Sequence, residues 1–341
     1  MTSDSMVATF PLFRLPYVAF SEVMNGISLK ELVRMSLISR NSYKSAKFAR
    51  RKSRNRMILV AVHKGIASVS VDYERIFEVV QSSQPKDSEV LKLAESAVPF
   101  VNGRNNSLRT FWGDKSMDIN RCIDYITDFF NLPIDSLYLS ATEEYPTDPR
   151  LIVDNVFNRQ EFVNRCLFEC DVTSDEELTY FLNQRNIRIV HLDVKPSDEF
   201  AFNDSFHWNQ FFVIHGFWVT LPNILGMNCE SIVVKNSRIS NENMNMFLKY
   251  WIKGGCPQLK YMLIMMQTDL ERIFEGVVVS KRENNGQVSY TYFSDQIQYF
   301  TDGYDVQRED GVMGTLIHLP NTQDGFYFVV WPDFADKPYC V

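Results

Sequence analysis

Glycine is scarce in this chain, at 14 of 341 residues, and proline is no commoner at 13. That excludes collagen-like repeats and long flexible or proline-rich tracts. Cysteine is sparse as well. Cys122, Cys166, Cys170, Cys229, Cys256 and Cys340 stand at irregular intervals, which excludes a disulfide framework and suits reduced thiols. Long apolar runs are missing: the longest, 211–225, is interrupted by His215, Gly216 and Pro222 and is too broken to span a bilayer. The opening MTSDSMVATFPLF lacks a basic start followed by an apolar core, so no signal peptide is expected and the location should be cytoplasmic, nuclear or both. The sequons at Asn105 and Asn203 then stay unmodified. Positive charge is in deficit, with 35 Lys and Arg against 42 Asp and Glu and a net charge of −7. Bulk attraction to nucleic acid or to an anionic membrane is therefore not expected.

Apolar residues are abundant. They make up 45% of the chain, and 26 Phe and 15 Tyr suit strands and packed cores rather than disorder. One stretch departs from the acidic balance: Lys44, Lys47, Arg50, Arg51, Lys52, Arg54 and Arg56 have no acid among them. It reads as the solvated end of a helix plus a linker, with nuclear import or phosphate contact as the alternative.

Residues 14–46 show helical periodicity. Pro16 suits the first position of a helix, where its missing N–H is not needed. Phe20, Val23, Met24 and Ile27 then recur at steps of three and four, and Gly26 punctuates the end. Ser28 and Glu31 form a capping box that opens a second helix, with Leu32, Met35 and Ile38 on its apolar stripe, widened by Val33 and Leu37. Ser39 can cap a third helix carrying the basic side chains from Lys44 onward. Three short helices cannot enclose a full core, so they must bury apolar surface against another domain or another chain.

The run Leu15-Pro16, Phe20 with Val23 and Met24, Ile27, Glu31-Leu32, Met35 and Leu37-Ile38-Ser39 resembles the F-box in order, spacing and residue type. Ser42 stands where many F-boxes carry a tryptophan. The resemblance implies that a Skp-type adaptor, and through it a cullin, is bound by Leu15, Pro16, Phe20, Val23, Met24, Ile27, Leu32, Met35, Leu37, Ile38 and Ser39.

Beyond the helices, 57–63 and 66–72 read as a small hairpin about Gly65, and 103–107 as a loop. From residue 119 helical stripes alternate with short β-like runs. The helix 119–131 aligns Cys122, Ile123, Ile126, Phe129 and Phe130, ahead of the run 136–139. Further β-like runs are 166–168, 187–194, 231–235 and 259–265. Between them lie a helix capped by Ser174 and Glu177 and a helix after Ser240 that stops at Gly254-Gly255. Thr268 and Glu271 read as the cap of one more, closed by Gly276. This alternation suggests an irregular leucine-rich-repeat-like α/β solenoid, with an ordinary α/β domain as the alternative; the runs are spaced unevenly, by 23 to 43 residues. The last stretch differs. Runs at 277–280 and 288–293 flank Asn284-Asn285-Gly286, a hairpin signal, and Asp310-Gly311 and Asp324-Gly325 mark further turns. An antiparallel β element would close the solenoid.

The expected architecture is thus α/β overall: a flexible 1–9, a three-helix module at 10–50, and a linker hairpin with the start of the main domain at 51–118. A repeat-like target-binding domain at 119–276 and a β cap at 277–341 follow. The segments 247–255, 259–261 and 308–311 and the closing Phe328-Val329-Val330-Trp331 resemble the second type of F-box-associated domain, a family expanded in nematodes. That resemblance implies a protein target.

No G-x-S-x-G, phosphate-binding loop or dinucleotide fingerprint occurs, so no catalytic residue, metal, cofactor or enzyme activity is expected. Cys166 and Cys170, with His191 and His207 downstream, do not have a zinc spacing. Cys256, between Gly255 and Pro257, reads as an ordinary loop cysteine rather than a reactive thiol. His191 reads as a core histidine. Trp208, Phe211, Phe212, Phe217 and Trp218 read as core rather than an exposed patch. The function expected is the substrate-recognition subunit of a cullin-based ubiquitin ligase. The alternatives are an adaptor-bound module whose target is not degraded, and a nucleic-acid-binding module using the basic stretch.

Overall fold

The computed structural model describes residues 12–49, 56–63, 66–80, 84–93, 96–112, 115–141, 149–170, 174–282, 287–292, 296–318 and 325–339. The expected flexible segment 1–9, the turn residues 284–286, Asp324 and Cys340 lie outside them. The chain forms two compact units, Met1–Gln160 and Glu161–Val341.

The first unit opens with the helices α1 (Tyr17–Gly26), α2 (Leu29–Ser36) and α3 (Arg40–Ala49). Their starts are set locally. Pro16 precedes α1 and its carbonyl accepts from the Phe20 amide. Ser28 and Glu31 cap each other reciprocally at α2. At α3 the Ser42 amide donates to Ser39 Oγ at 3.0 Å. The strands β1 (Ile58–His63), β2 (Ile66–Val71), β3 (Glu74–Val80), β4 (Glu89–Leu93), β5 (Ser96–Asn102), β6 (Leu108–Phe111) and β7 (Ile134–Ala141) follow. They pair in the order β7-β1-β2-β3-β6-β5-β4. β1 with β7 and β3 with β6 are parallel, and the other pairs antiparallel. The expected β1–β2 hairpin is there, with Val60 opposite Val69. Two helices complete the unit, α4 (Lys115–Phe130) and α5 (Pro149–Phe157). The α4 stripe of Cys122, Ile123, Ile126, Phe129 and Phe130 is buried, as are Val60, Val69, Ile76 and Phe77 of the strands.

The second unit runs β8 (Val163–Cys170), α6 (Asp175–Leu182), β9 (Ile187–Val194), β10 (Gln210–Val213), α7 (Leu221–Gly226), β11 (Ser231–Val234), α8 (Asn241–Ile252) and β12 (Tyr261–Met265). Then come α9 (Leu270–Ile273), β13 (Ser280–Lys281), β14 (Val288–Tyr292), β15 (Gln296–Phe300), β16 (Asp302–Gln307), β17 (Met313–His318) and β18 (Gly325–Val330). Strands β8 to β12 are parallel neighbours. β18 then pairs antiparallel with β12, and β17, β16 and β13 extend the same sheet. β14 and β15 form a separate ribbon. Its Tyr290 and Phe300 are buried with Val233, Tyr261, Ile317, Val329 and Trp331.

The solenoid expectation is overturned. Among the described residues there are eighteen strands and only nine short α-helices, and after the first three helices the chain is strand-dominated sheet. Three features explain the difference. Residues 74–111, placed in the linker hairpin and the start of the main domain with a loop at 103–107 and no strand assigned, supply four further strands to the first unit. The connection from β9 to β10 crosses without a helix, which breaks the strand–helix alternation within the second unit. The closing strands are not a separate cap: β18 pairs along β12 and satisfies the ladder groups that an edge strand would leave open. The hairpin expected across Asn284-Asn285-Gly286 does not form either, since β13 pairs with β16 and β14 with β15. The α9 cap is Asp269, whose carboxylate accepts from the Glu271 and Arg272 amides, rather than Thr268.

Candidate functional site

The three N-terminal helices bury one side and leave the other open. Phe20 and Met24 of α1, Leu32 and Val33 of α2, and Ala46 of α3 are buried. α2 packs on β3 and α3 on α4, so the missing core of the small module is supplied by the rest of its own unit. On the open side Tyr17 is 65% exposed, Val18 72%, Val23 42%, Ile38 75% and Phe48 71%. Tyr17 and Phe48 meet edge to face at 5.7 Å, which joins α1 to α3 across this surface. Large apolar side chains left exposed together mark an interaction surface, because water contact costs each of them burial energy.

The residues singled out in the sequence divide between the two sides. Pro16, Val23, Ile38 and Ser39 are exposed, while Leu15, Ile27, Met35 and Leu37 are half-buried. Phe20, Met24 and Leu32 are buried among the helices. Ser42, in the tryptophan's place, is buried and its hydroxyl meets Ser39 Oγ at 2.8 Å. Tyr17, Val18 and Phe48 share the open surface, and sequence reasoning passed over them. A signal was available for Val18, an apolar residue off the stripe of Phe20 and Met24; Tyr17, three residues before Phe20, falls on that stripe by spacing, and only the structure shows it exposed.

Polar contacts fix the helices to the sheet. The Arg34 guanidinium donates to Asn102 Oδ1 at 2.7 Å and to the Asn106 carbonyl at 3.0 Å. Lys30 Nζ donates to the Asn105 carbonyl at 2.7 Å. Beneath them Ser107 donates to Glu78 at 2.6 Å and Arg109 to the same carboxylate at 2.9 Å. Burial alone would raise the Glu78 carboxyl, but these bonds and the charges of Arg109 and Arg75 hold it below its ordinary value. Gly103 is required in this loop, because a Cβ there would stand 2.4 Å from Ser107 Oγ. On α4, Tyr125 and Ser36 share a 2.6 Å hydrogen bond, and burial pushes the Tyr125 hydroxyl up to about 12. Tyr43 donates to Asp128, and Lys47 Nζ pairs with Asp128 at 2.7 Å. Of the basic stretch, Lys47 is engaged in this way and Arg56 lies over the Phe130 ring at 5.6 Å; Arg50, Arg51, Lys52 and Arg54 fall outside the described residues.

In the second unit, residues 201–264 hold β10, α7, β11, α8 and β12 around an aromatic core. Trp208, Phe211 and Trp218 are buried together with Phe202 and Phe206. Phe212 and Phe217 are half-buried: Phe212 lies 4.1 Å from the His191 ring and beneath Lys235, and Phe217 beneath Arg238. Burial lowers the His191 pKa, with Asp193 acting against it. Cys166 pairs in register with Val190, while His191 pairs with Leu167. Side chains alternate along strands, so Cys166 and His191 occupy opposite faces and cannot ligate one ion. Burial pushes the Cys166 thiol up to about 12 and that of Cys256 up to about 11, the opposite of what a reactive thiol needs. Among the described residues no group of three His, Cys, Asp or Glu is placed to hold a metal ion, and no helix is long and apolar enough to cross a membrane.

Residues 201–264 match the F-box associated family. Over 340 aligned residues the chain is 25% identical to the Skn-1 dependent zygotic transcript 15 protein of Caenorhabditis elegans, spanning 93% of this chain and 96% of that protein. No solved structure matches the chain.

Proposed function

We propose that this chain is the substrate-recognition subunit of an SCF-type ubiquitin ligase. Its N-terminal helices act as an F-box that docks a Skp-type adaptor and, through it, a cullin. The strand-dominated remainder, including 201–264, holds a protein target. The observation that carries this reading is the set of exposed apolar side chains Tyr17, Val18, Val23, Ile38 and Phe48 on the N-terminal helices, of which Tyr17 and Phe48 meet across α1 and α3. The F-box associated match at 201–264 supports the assignment of a target-binding role to the second unit. The chain performs no bond chemistry. It raises the effective concentration of the target at the ubiquitin-charged enzyme, in the cytoplasm or nucleus. The polar clamp of Arg34 and Lys30 gives this arrangement a mechanical role: the adaptor-binding helices and the sheet of the first unit move together. The test is gel filtration of the full chain with a purified Skp-type adaptor at micromolar concentration. A one-to-one complex is expected, and separate elution of the two proteins would overturn the reading.

A further inference from the structure

The ribbon of β14 and β15 has two outer edges, and the chain closes one of them. Along β14 the Thr291 amide donates to Asp333 Oδ2 at 2.8 Å, and the Thr291 carbonyl accepts from the Phe334 amide at 3.2 Å. Lys337 Nζ donates to the Ser289 carbonyl at 3.1 Å. The backbone groups of Thr291 and Ser289 therefore point away from β15. Residues of an antiparallel pair alternate between bonding the facing strand and turning outward. Tyr290 opposite Gln298 is thus a bonded pair, while Thr291 opposite Ile297 and Ser289 opposite Tyr299 are not. On β15 the N–H and C=O groups of Ile297 and Tyr299 consequently face the second edge.

That second edge is open. Among the described residues no strand pairs along it. Gln298 Nε2 donates to the adjoining Tyr299 carbonyl at 3.0 Å, which leaves that oxygen a second lone pair. The Ile297 and Tyr299 side chains are 49% and 51% exposed. None of the usual guards of an edge is present: β15 reads QIQYF, without charge or proline, and its register with β14 runs without a bulge. Unpaired ladder groups beside an exposed β-branched and an exposed aromatic side chain are a template for another strand.

We propose that the occupant is a second copy of this chain, its β15 pairing antiparallel with this β15 about a twofold axis through Gln298. Ile297 then lies opposite Tyr299 of the second copy, and Gln298 opposite Gln298. In this register outward groups meet outward groups, so the Ile297 and Tyr299 amides of each copy find carbonyls on the other. The ladder alone would accept any extended strand. What selects a second copy is the placement of Ile297 and Tyr299 on either side of Gln298, which sets an aromatic beside a β-branched side chain at both ends, a favourable cross-strand pair. The chain carries a net charge of −7, and this neutral strand lets two copies meet without like charges opposed. The twofold uses both open edges, so assembly stops at two. Pairing through one short strand covers less than the roughly 1,200 Å² of a stable interface, so the dimer is weak and reversible. It does not rest on the reading of the N-terminal helices, and either can fail alone.

The test is sedimentation velocity of the full chain from about 2 to about 200 μM. The weight-average coefficient should rise from the monomer value toward that of a dimer and not beyond it. Tyr299→Pro removes an outward N–H and no bond to β14, so it should weaken dimerisation about tenfold or more. Gln298→Lys sets like charges directly opposite each other, and so does Gln298→Glu; each should dimerise about tenfold more weakly than wild type. An equimolar mixture of the two should regain dimers, which shows that both variants fold and that Gln298 meets Gln298. A monomer at every concentration, growth past a dimer, or wild-type dimerisation in Tyr299→Pro would overturn the proposal. So would a mixture no better than either charge variant alone. A chain that stays monomeric but binds an acetylated hexapeptide of alternating valine and threonine takes a foreign strand at this edge, and the second copy is then refuted.

Discussion

Two valines on neighbouring helices should respond oppositely to the same substitution. Val33 is fully buried on α2, and Val18 on α1 is 72% exposed. Val33→Ala removes two buried carbons, about 0.8 kcal/mol each, and leaves a small cavity beside β3 that adds to the cost. The better helix propensity of alanine returns a few tenths of a kcal/mol. The net destabilisation is about 1–2.5 kcal/mol, a fall in melting temperature of roughly 2–10 °C for a unit of this size. Val18→Ala removes the same atoms from water-exposed surface, so its stability should change by less than about 0.5 kcal/mol. In the proposed complex that surface is covered, and the lost contact should weaken adaptor binding about tenfold. Thermal unfolding followed by circular dichroism, paired with adaptor titration, separates the two effects. The reasoning fails if Val33→Ala melts within 1 °C of wild type, or if Val18→Ala is the more destabilising of the two.

Asp333 should be a stability determinant of the second unit. Its carboxylate accepts from the Thr291, Ala335 and Lys337 amides, each at 2.8 Å. Burial alone would raise its pKa, but these bonds hold it below the ordinary value. A lowered carboxyl contributes stability that is fully present above about pH 4 and is lost as pH falls through the folded-state value. Asp333→Ala should therefore lower the melting temperature at pH 7 and flatten its decline below pH 4; an unchanged melting curve at both pH values would count against this. Cys122, Cys166, Cys170, Cys229 and Cys256 are buried free thiols, so a thiol reagent should leave all five unmodified in the native chain and react with them in denaturant. Fast native labelling of any of them, located by peptide mapping, would contradict their placement.

What could be read from the sequence was local. The caps at Ser28 and Ser174 depend on residues three positions apart, and the same side chains make those bonds in the structure. The strand 187–194 and the buried stripe of α4 follow from periodicity alone. Pairing was not legible, because partners are distant in sequence. Asn284-Asn285-Gly286 favours a hairpin locally, yet β13 and β14 find better partners in β16 and β15. In β3 the alternation is broken by Glu78, a buried carboxylate whose place makes sense only once Ser107 and Arg109 are beside it. The same limit applies to the candidate surface. Periodicity placed Phe20 and Met24 on the apolar stripe of α1 and Leu32 on that of α2, but only the packing shows that these residues, and not Val23 or Ile38 of the same stripes, face inward. It is the packing, too, that leaves Tyr17, Val18 and Phe48 outside.

The central claim is that this outer surface holds the adaptor. The most direct measurement is calorimetric titration of a purified Skp-type adaptor into the full chain, wild type and Tyr17→Ser/Val18→Ser/Ile38→Ser. Truncating side chains at the centre of an interface typically costs about 1–2 kcal/mol or more each, so the triple variant should bind more than roughly a hundredfold more weakly. Its melting temperature should stay within about 2 °C of wild type, since the three side chains are 65%, 72% and 75% exposed. Adaptor affinity within threefold of wild type in a folded triple variant would contradict the account.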